Sequence, residues 1–272
     1  MDATVQIPEK ENIVLALDVS TETIGVCLIW DDGSEYGKII ELTHISPKAS
    51  KKTYPNPIHR LFIKKKYFED FIIQKGYDKM NITKVVIEEP LISSNNQNTV
   101  ATLLRFNGMV SECIFNTLHI VPDYISSYEA RAYSFPSLMS VRKYSKSGKP
   151  YENKKILSAI KKSHYTLFGG YAWDVDKKLV LQSKVKDLFP SIEWQYDKNG
   201  NLKKQNFDAT DAYVAGIGQI HKDRYGVLEP VTDSVTVNGL VVEYDTKYWN
   251  VTEHRKTYLF EETEQNCCKA FS

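Results

Sequence analysis

Two apolar, β-rich runs stand almost back to back near the start of the chain, Ile13–Ser20 and Thr23–Trp30, separated only by Thr21 and Glu22. Runs of this length joined by so short a link must pair as an antiparallel hairpin. A turn at Asp31-Asp32-Gly33 and a third run, Lys38–Ile45, extend the pair into a three-stranded meander. Asn56-Pro57 then reads as a helix N-cap with proline at the first helical position. Ile58, Leu61, Phe62, Phe68, Phe71 and Ile72 recur at helical spacing until Gly76. Val85-Val86-Ile87, ending in Glu88-Glu89-Pro90, has the continuous apolar pattern of a central parallel strand stopped by proline.

A polar loop, Ser93–Asn98, leads to a second helix carrying Val100, Leu103, Leu104, Val110, Ile114 and Leu118 on its inner stripe. A short strand at His119–Tyr124 follows, then a helix start with Ser126 and Glu129 at capping-box spacing. Asn153–Lys162 reads as a short basic helix, and Asn199-Gly200 as a type I′ hairpin between Ile192–Lys198 and Asn201–Gln205. Asp208–His221 is a helix whose Ala209, Ala212, Ala215, Gly216 and Gly218 permit close packing on a sheet. Beyond Lys222, Ser234–Tyr244 and Asn238-Gly239 suggest a β-rich appendage. The element order predicts an α/β fold built on one mixed sheet.

Composition sets the class. The 272 residues are 42% hydrophobic and 12% aromatic, with 35 Lys+Arg against 34 Asp+Glu. That excludes a disordered chain, and no stretch approaches the roughly 18 continuous apolar residues of a membrane span. The acidic Met1–Glu11 leader lacks a secretory h-region, so a cytoplasmic protein is expected. Cys27, Cys113, Cys267 and Cys268 have no framework spacing and read as reduced thiols.

Four carboxylates occupy positions of chemical interest: Asp18 at the end of the first strand, Glu88 at the end of the central strand, and Asp208 and Asp211 on one face of the last core helix. Each alone has an ordinary reading as a turn, strand-end or capping residue; their order and spacing together carry the inference. Gathered, they would repel unless a cation neutralised them, and an all-oxygen set favours Mg²⁺ or Mn²⁺. Two such ions about 4 Å apart are suited to phosphodiester hydrolysis.

Leu15–Ile29 (LALDVSTETIGVCLI), Val85–Pro90 (VVIEEP) and Phe207–Val214 (FDATDAYV) resemble the acidic motifs of RuvC-type Holliday junction resolvases, over about Ile13 to His221. The resemblance implies a ribonuclease H-like fold: a mixed five-stranded sheet flanked by helices. It implies a nuclease domain over residues 12–221; the chain departs from the family in an insertion at about 165–206 and in the β-rich extension over 222–272, which has no counterpart there. It further implies an Mg²⁺-dependent endodeoxyribonuclease acting on four-way junctions or other branched DNA as a homodimer. Asp18, Glu88, Asp208 and Asp211 fall on the family's catalytic, metal-binding acids. Where family members place an aromatic shortly after the glutamate, this chain has Pro90-Leu91-Ile92.

Charge is unevenly distributed. Between Val141 and Gly170 stand Arg142, Lys143, Lys146, Lys149, Lys154, Lys155, Lys161 and Lys162 against Glu152 alone, a stretch suited to phosphate contact. A second basic run holds Lys48, Lys51, Lys52, Arg60, Lys64, Lys65 and Lys66, of which Lys64–Lys66 read as a solvated helix face. The extension is net acidic, with six Lys/Arg and nine Asp/Glu, and is read as a surface for a protein partner rather than for phosphates. Twenty-nine Lys against 6 Arg, with frequent Ile, Asn and Tyr, fit an AT-rich genome and a bacteriophage source acting in the host cytoplasm.

Three rival readings remain. An actin-like ATPase also opens with a strand bearing Asp, but needs two tandem domains and Gly-rich loops that Phe207–Val214 lacks. A RuvC-like nuclease could act on RNA, and a non-catalytic relative could serve as a DNA-binding or assembly module.

Overall fold

The computed structural model describes residues 12–90, 96–135 and 177–226, together with the backbone of 229–237 and 240–248. β1 (Asn12–Val19), β2 (Ile24–Asp31) and β3 (Lys38–Ile45) form the expected meander. α1 (Pro57–Lys75) and β4 (Ile82–Glu88) follow, then α2 (Gln97–Leu118), β5 (Asp123–Ile125), α3 (Ser127–Ser134), α4 (Lys177–Leu188) and α5 (Gln205–Tyr225). The five strands lie in the order β3-β2-β1-β4-β5. β1–β2 and β2–β3 are antiparallel, whereas β1–β4 and β4–β5 are parallel. This mixed five-stranded sheet flanked by helices is the ribonuclease H-like arrangement.

The chain separates into two compact units, Met1–Ser127 with Leu181–Ile217 and Tyr128–Val180 with Gly218–Ser272. The sheet belongs to the first. In a strand successive side chains point to opposite faces, and here parity sorts the core. Ile13, Leu15, Leu17 and Val19 of β1, Ile24, Val26 and Leu28 of β2, and Val85 and Ile87 of β4 join one apolar cluster with Leu61, Phe68 and Ile72 of α1 and Phe106, Val110 and Ile114 of α2. Most of these are completely buried, each worth roughly 1.5–3 kcal/mol of transfer free energy. The alternate positions, Ala16 and Asp18, Gly25, Cys27 and Ile29, and Val86 and Glu88, face the other way.

α5 covers part of that second face. A Cβ added to Gly216 would lie 2.7 Å from the Ala16 Cβ and 2.5 Å from the Ile29 Cδ1, so the helix approaches at a distance only glycine permits. Tyr213 of α5 donates its hydroxyl to the Tyr36 carbonyl at 2.9 Å and stacks edge-on against Phe189. Cys27 and Cys113 are free and buried, and burial pushes both thiols above their ordinary pKa. They serve as packing groups.

The helix ends follow their local signals. The Asn56 Oδ1 accepts from the Ile58 and His59 amides ahead of Pro57, and Gly76 closes α1 in the left-handed region at φ 69°. Four sequence expectations shift. His119, read as strand, instead caps α2 with φ 58° while its N–H donates to the Phe115 carbonyl, so the strand starts later, at Asp123. The Asn199-Gly200 turn is not type I′, because only Gly200 has positive φ (80°). Asp197 accepts the Asn199 and Asn201 amides at 2.8 and 2.9 Å, which holds a right-handed turn, and the flanking strands reduce to a single Tyr196–Leu202 bridge. α5 begins at Gln205, so Asp208 sits within its first turn rather than at the cap. Lys64 is not solvated: it is 7% exposed, donates to the Thr21 carbonyl and lies 3.7 Å from Glu22.

In the second unit His221 Nδ1 lies 2.8 Å from the Tyr133 carbonyl, the Tyr133 hydroxyl donates to the Gly226 carbonyl, and Lys222 pairs with Glu129 at 3.1 Å. β6 (Glu229–Val237) and β7 (Leu240–Tyr248) pair antiparallel, with Val237–Leu240 the innermost pair. The basic stretch Arg142–Lys162 and residues 249–272 lie outside the described residues. Among the described residues no helix is long and apolar enough to cross a membrane.

The contrast between two helical glycines tests this packing. Gly216→Ala should lose about 1–3 kcal/mol in urea unfolding through overpacking. Gly108→Ala, in α2 with nothing within 4 Å of the added methyl, should gain about 0.5–1 kcal/mol. Equal effects at the two positions would refute the close α5 contact.

Candidate metal centre

Strand parity and one helix assemble the site. Asp18 is the penultimate residue of β1 and Glu88 the last of β4, two parallel strands joined in register from Val14–Lys84 to Leu17–Ile87. Both acids share the parity of Ala16 and Val86, so both leave the sheet on the face that α5 covers. That helix supplies Asp211. Carboxylate oxygens of Asp18, Glu88 and Asp211 all lie within 4.8 Å of one another, the first two half-buried and the third buried.

Asp208, one turn earlier, is buried but is not one of this group of three. Its backbone has a different task. A Cβ on Gly25 would fall 2.0 Å from the Asp208 carbonyl oxygen and 2.8 Å from the Ala209 nitrogen. Gly25 pairs with Asp18 across β1–β2 and with His44 across β2–β3. The first turn of α5 thus rests directly on the strand residue beside the Asp18 backbone. Burial holds the His44 imidazole below its ordinary pKa despite the attraction of Asp208.

The start of α5 is itself tethered. Asn206 accepts the Gln195 amide at 3.1 Å and donates to the Gln195 carbonyl at 2.6 Å, while the Thr210 hydroxyl donates back to the Asn206 carbonyl. On the opposite side, Asn107 of α2 donates to the Val19 carbonyl at 3.4 Å, next to Asp18. Gly25 was not singled out by sequence reasoning as a site residue. The signal available was a glycine inside an otherwise continuous apolar strand, which often marks close backbone approach.

Three negative charges at this spacing repel by about 3 kcal/mol per pair at an effective dielectric near 20. A divalent cation removes the cost. The donors are all carboxylate oxygens on three separate elements, a set that suits a hard ion such as Mg²⁺ or Mn²⁺ and not a thiolate- or imidazole-seeking one. The residues present therefore fit the metal that the sequence suggests. The predicted phosphate-contacting residues Arg142, Lys143, Lys146, Lys149, Lys154, Lys155, Lys161 and Lys162 fall outside the described residues.

No protein-family model matches the sequence, and no curated protein matches it. Among solved structures the chain is similar to Thermus thermophilus RuvC in complex with a Holliday junction substrate, at 8% identity and a TM-score of 0.45, over 79% of this chain and 96% of that one. It is similar to the yeast mitochondrial Holliday junction resolvase at 11% identity and a TM-score of 0.39, over 79% and 81%. It is also similar to the Aquifex aeolicus PPX-GPPA enzyme at 12% identity and a TM-score of 0.33, over 78% and 92%. The chemistry of the site rests on its own residues.

Relief of repulsion gives a measurable signature. In EDTA, Asp211→Asn should raise Tm by a few degrees, since one of three mutually repelling charges is gone. With millimolar Mg²⁺ or Mn²⁺ the wild type should gain stability by mass action and the variant should not. A variant that is no more stable in EDTA and still responds fully to metal would remove Asp211 from the site.

Proposed function

We propose that the chain is a RuvC-type, Mg²⁺-dependent endodeoxyribonuclease that cuts four-way junctions or related branched DNA. The observation that carries this reading is the convergence of Asp18, Glu88 and Asp211 at the carboxyl ends of two adjacent parallel strands. Two divalent ions bound there would supply an activated water on one side of a phosphodiester and charge stabilisation of the leaving oxygen on the other. The protein's part is positioning. Asp18 and Glu88 are fixed by the β1–β4 ladder and Asp211 by the docking of α5, so the ligand geometry exists before substrate arrives. Asp208, one turn before Asp211, is assigned as the fourth acid of the centre.

Residues 12–221 constitute the nuclease domain in this reading, with an insertion at about 165–206, and 222–272 an extension that binds a protein partner. The lysine-rich stretch from Arg142 to Lys162 contacts DNA phosphates. A four-way junction is two-fold symmetric and requires paired cuts, which favours an isologous homodimer. The lysine-rich, arginine-poor usage supports a bacteriophage context, in which replicated DNA must be debranched.

Cleavage of a synthetic four-way junction in Mg²⁺, compared with duplex, flap and RNA–DNA hybrid, tests the proposal. The wild type should nick the junction symmetrically, and Asp18→Asn, Glu88→Gln and Asp211→Asn should each lose about a hundredfold or more, above the loss typical of residues that merely orient metal ligands. Undiminished cutting by these variants sinks the site. Cutting confined to the hybrid sinks the substrate.

A further inference from the structure

At the end of the sheet that carries the carboxylates the first unit contains a cleft of about 630 Å³. Its walls are the β1–β2 turn at Thr21, Glu22 and Thr23, the segment Ser46–Lys51 that leaves β3, and the first two turns of α1. β1 ends at Val19, one residue after Asp18 and two before Thr21 of this turn, and Ile45 at the end of β3 pairs with Ile24 just beyond it. The cleft and the carboxylates therefore sit at the same end of the sheet. Lys48, Lys51, Arg60 and Lys64 line the cleft against the single acid Glu22, four positive charges less one negative, or +3.

Lys48, Lys51 and Arg60 differ from several other basic side chains of this unit. Lys65 is paired with Glu112, Lys66 with Asp70, Lys75 with Glu41 and Lys38 with Asp32. Lys48 and Lys51 are exposed and, among the described residues, make no hydrogen bond or ion pair. Arg60 is held against the wall by two bonds from its Nη1, to the Tyr54 and Pro55 carbonyls at 2.8 Å each, which leaves its other N–H groups to donate. Lys64 spends its ammonium on the Thr21 carbonyl and Glu22, and so fixes the turn that divides the cleft from Asp18.

We infer that this cleft seats the sugar-phosphate backbone of a DNA strand on its way to the carboxylates, with Lys48 and Lys51 as phosphate contacts and Arg60 as a fixed donor. The inference rests on the nuclease reading for its choice of ligand. A diester is the substrate class that a cation-loaded carboxylate cluster processes, and a strand crossing that centre must continue over one of its borders. The border at the β1–β2 turn is cationic and concave, and hydroxyls of Thr21, Thr23 and Ser50 add neutral donors suited to phosphate oxygens. An acidic polypeptide would meet the same charges but would have no reason to lie beside the metal centre.

The test uses the full chain in EDTA, where binding is read without cleavage, with a fluorescein-labelled four-way junction titrated by anisotropy across a range of KCl. Lys48→Ala/Lys51→Ala should weaken binding about tenfold and flatten the slope of log K against log salt by about 2, one for each lost phosphate contact. The charge-matched pair Lys79→Ala/Lys186→Ala, away from the cleft, should stay within about twofold of wild type. The proposal is overturned if the Lys48/Lys51 variant keeps wild-type affinity and slope, if the control pair weakens binding equally, or if the wild type binds no DNA. Displacement of the junction by polyglutamate at matched charge would assign the cleft to acidic polypeptides instead. A parallel cleavage assay in Mg²⁺ separates the two readings. Binding through Lys48 and Lys51 without cutting leaves the cleft standing and removes the nuclease, whereas cutting with unchanged binding by the variant removes the cleft alone.

Discussion

The closeness of α5 to the sheet governs the site. Two of the three gathered carboxylates are fixed by backbone hydrogen bonding within the sheet, and the third arrives on a helix whose height above the sheet is set by side-chain volume. At Gly25 the helix backbone touches the strand, and at Gly216 it rests on Ala16 and Ile29. A methyl group at either position would lift α5, and lifting α5 moves Asp211 while Asp18 and Glu88 stay in place. Residues with no chemistry of their own thus set the spacing of the carboxylate cluster. Ala209, Ala212 and Ala215 keep part of the contact thin, and Tyr213, a large buried side chain of α5, fixes the helix about its axis through Tyr36 and Phe189.

Much of this was legible because the sheet is strongly patterned. β1, β2 and β4 are apolar almost throughout, and an acid at the end of such a run stands out against it. Once the strands are paired, period two places Asp18 and Glu88 on one face without further information. The spacing of Asp208 and Asp211 put both on one helix, but could not say which of them comes within 4.8 Å of both Asp18 and Glu88. That is decided by where the helix starts, and the start at Gln205 is fixed by a tertiary tether from Asn206 to Gln195 rather than by a local cap. The role of Gly25 was hidden for the same reason, since its partner is the carbonyl of a residue far along the chain. α4 escaped detection because its buried face is narrow, with Leu181, Gln182 and Val185 inside a dodecamer that also carries four lysines and an aspartate. At His119 the helix ended in a left-handed residue where a β-rich reading of the following sequence had begun a strand.

The distribution of charge decides how such a site could attract an anion at all. The whole chain carries a formal +1, which by itself predicts neither attraction to nucleic acid nor repulsion from it. Locally the picture is polar: three carboxylates converge at one end of the sheet, and a cleft of +3 borders the turn that follows Asp18. Lys64 and Glu22 stand on the boundary, paired with each other, so the two fields do not neutralise one another across it.

An anionic strand approaching the metal-free centre would be repelled by the acids and held only by the cleft. Cations bound among the acids reverse the sign of the local field, and the same strand is then attracted over the full width of the site. Under the nuclease reading, metal and strand would therefore bind with positive linkage, each strengthening the other by the same factor. The preformed carboxylates make the metal's share of that coupling available without rearrangement of the sheet. The ion-paired turn at Thr21 and Glu22 keeps the cleft's share in register with it. Under that reading a formal charge of +1 for the whole chain is no argument against an anionic ligand.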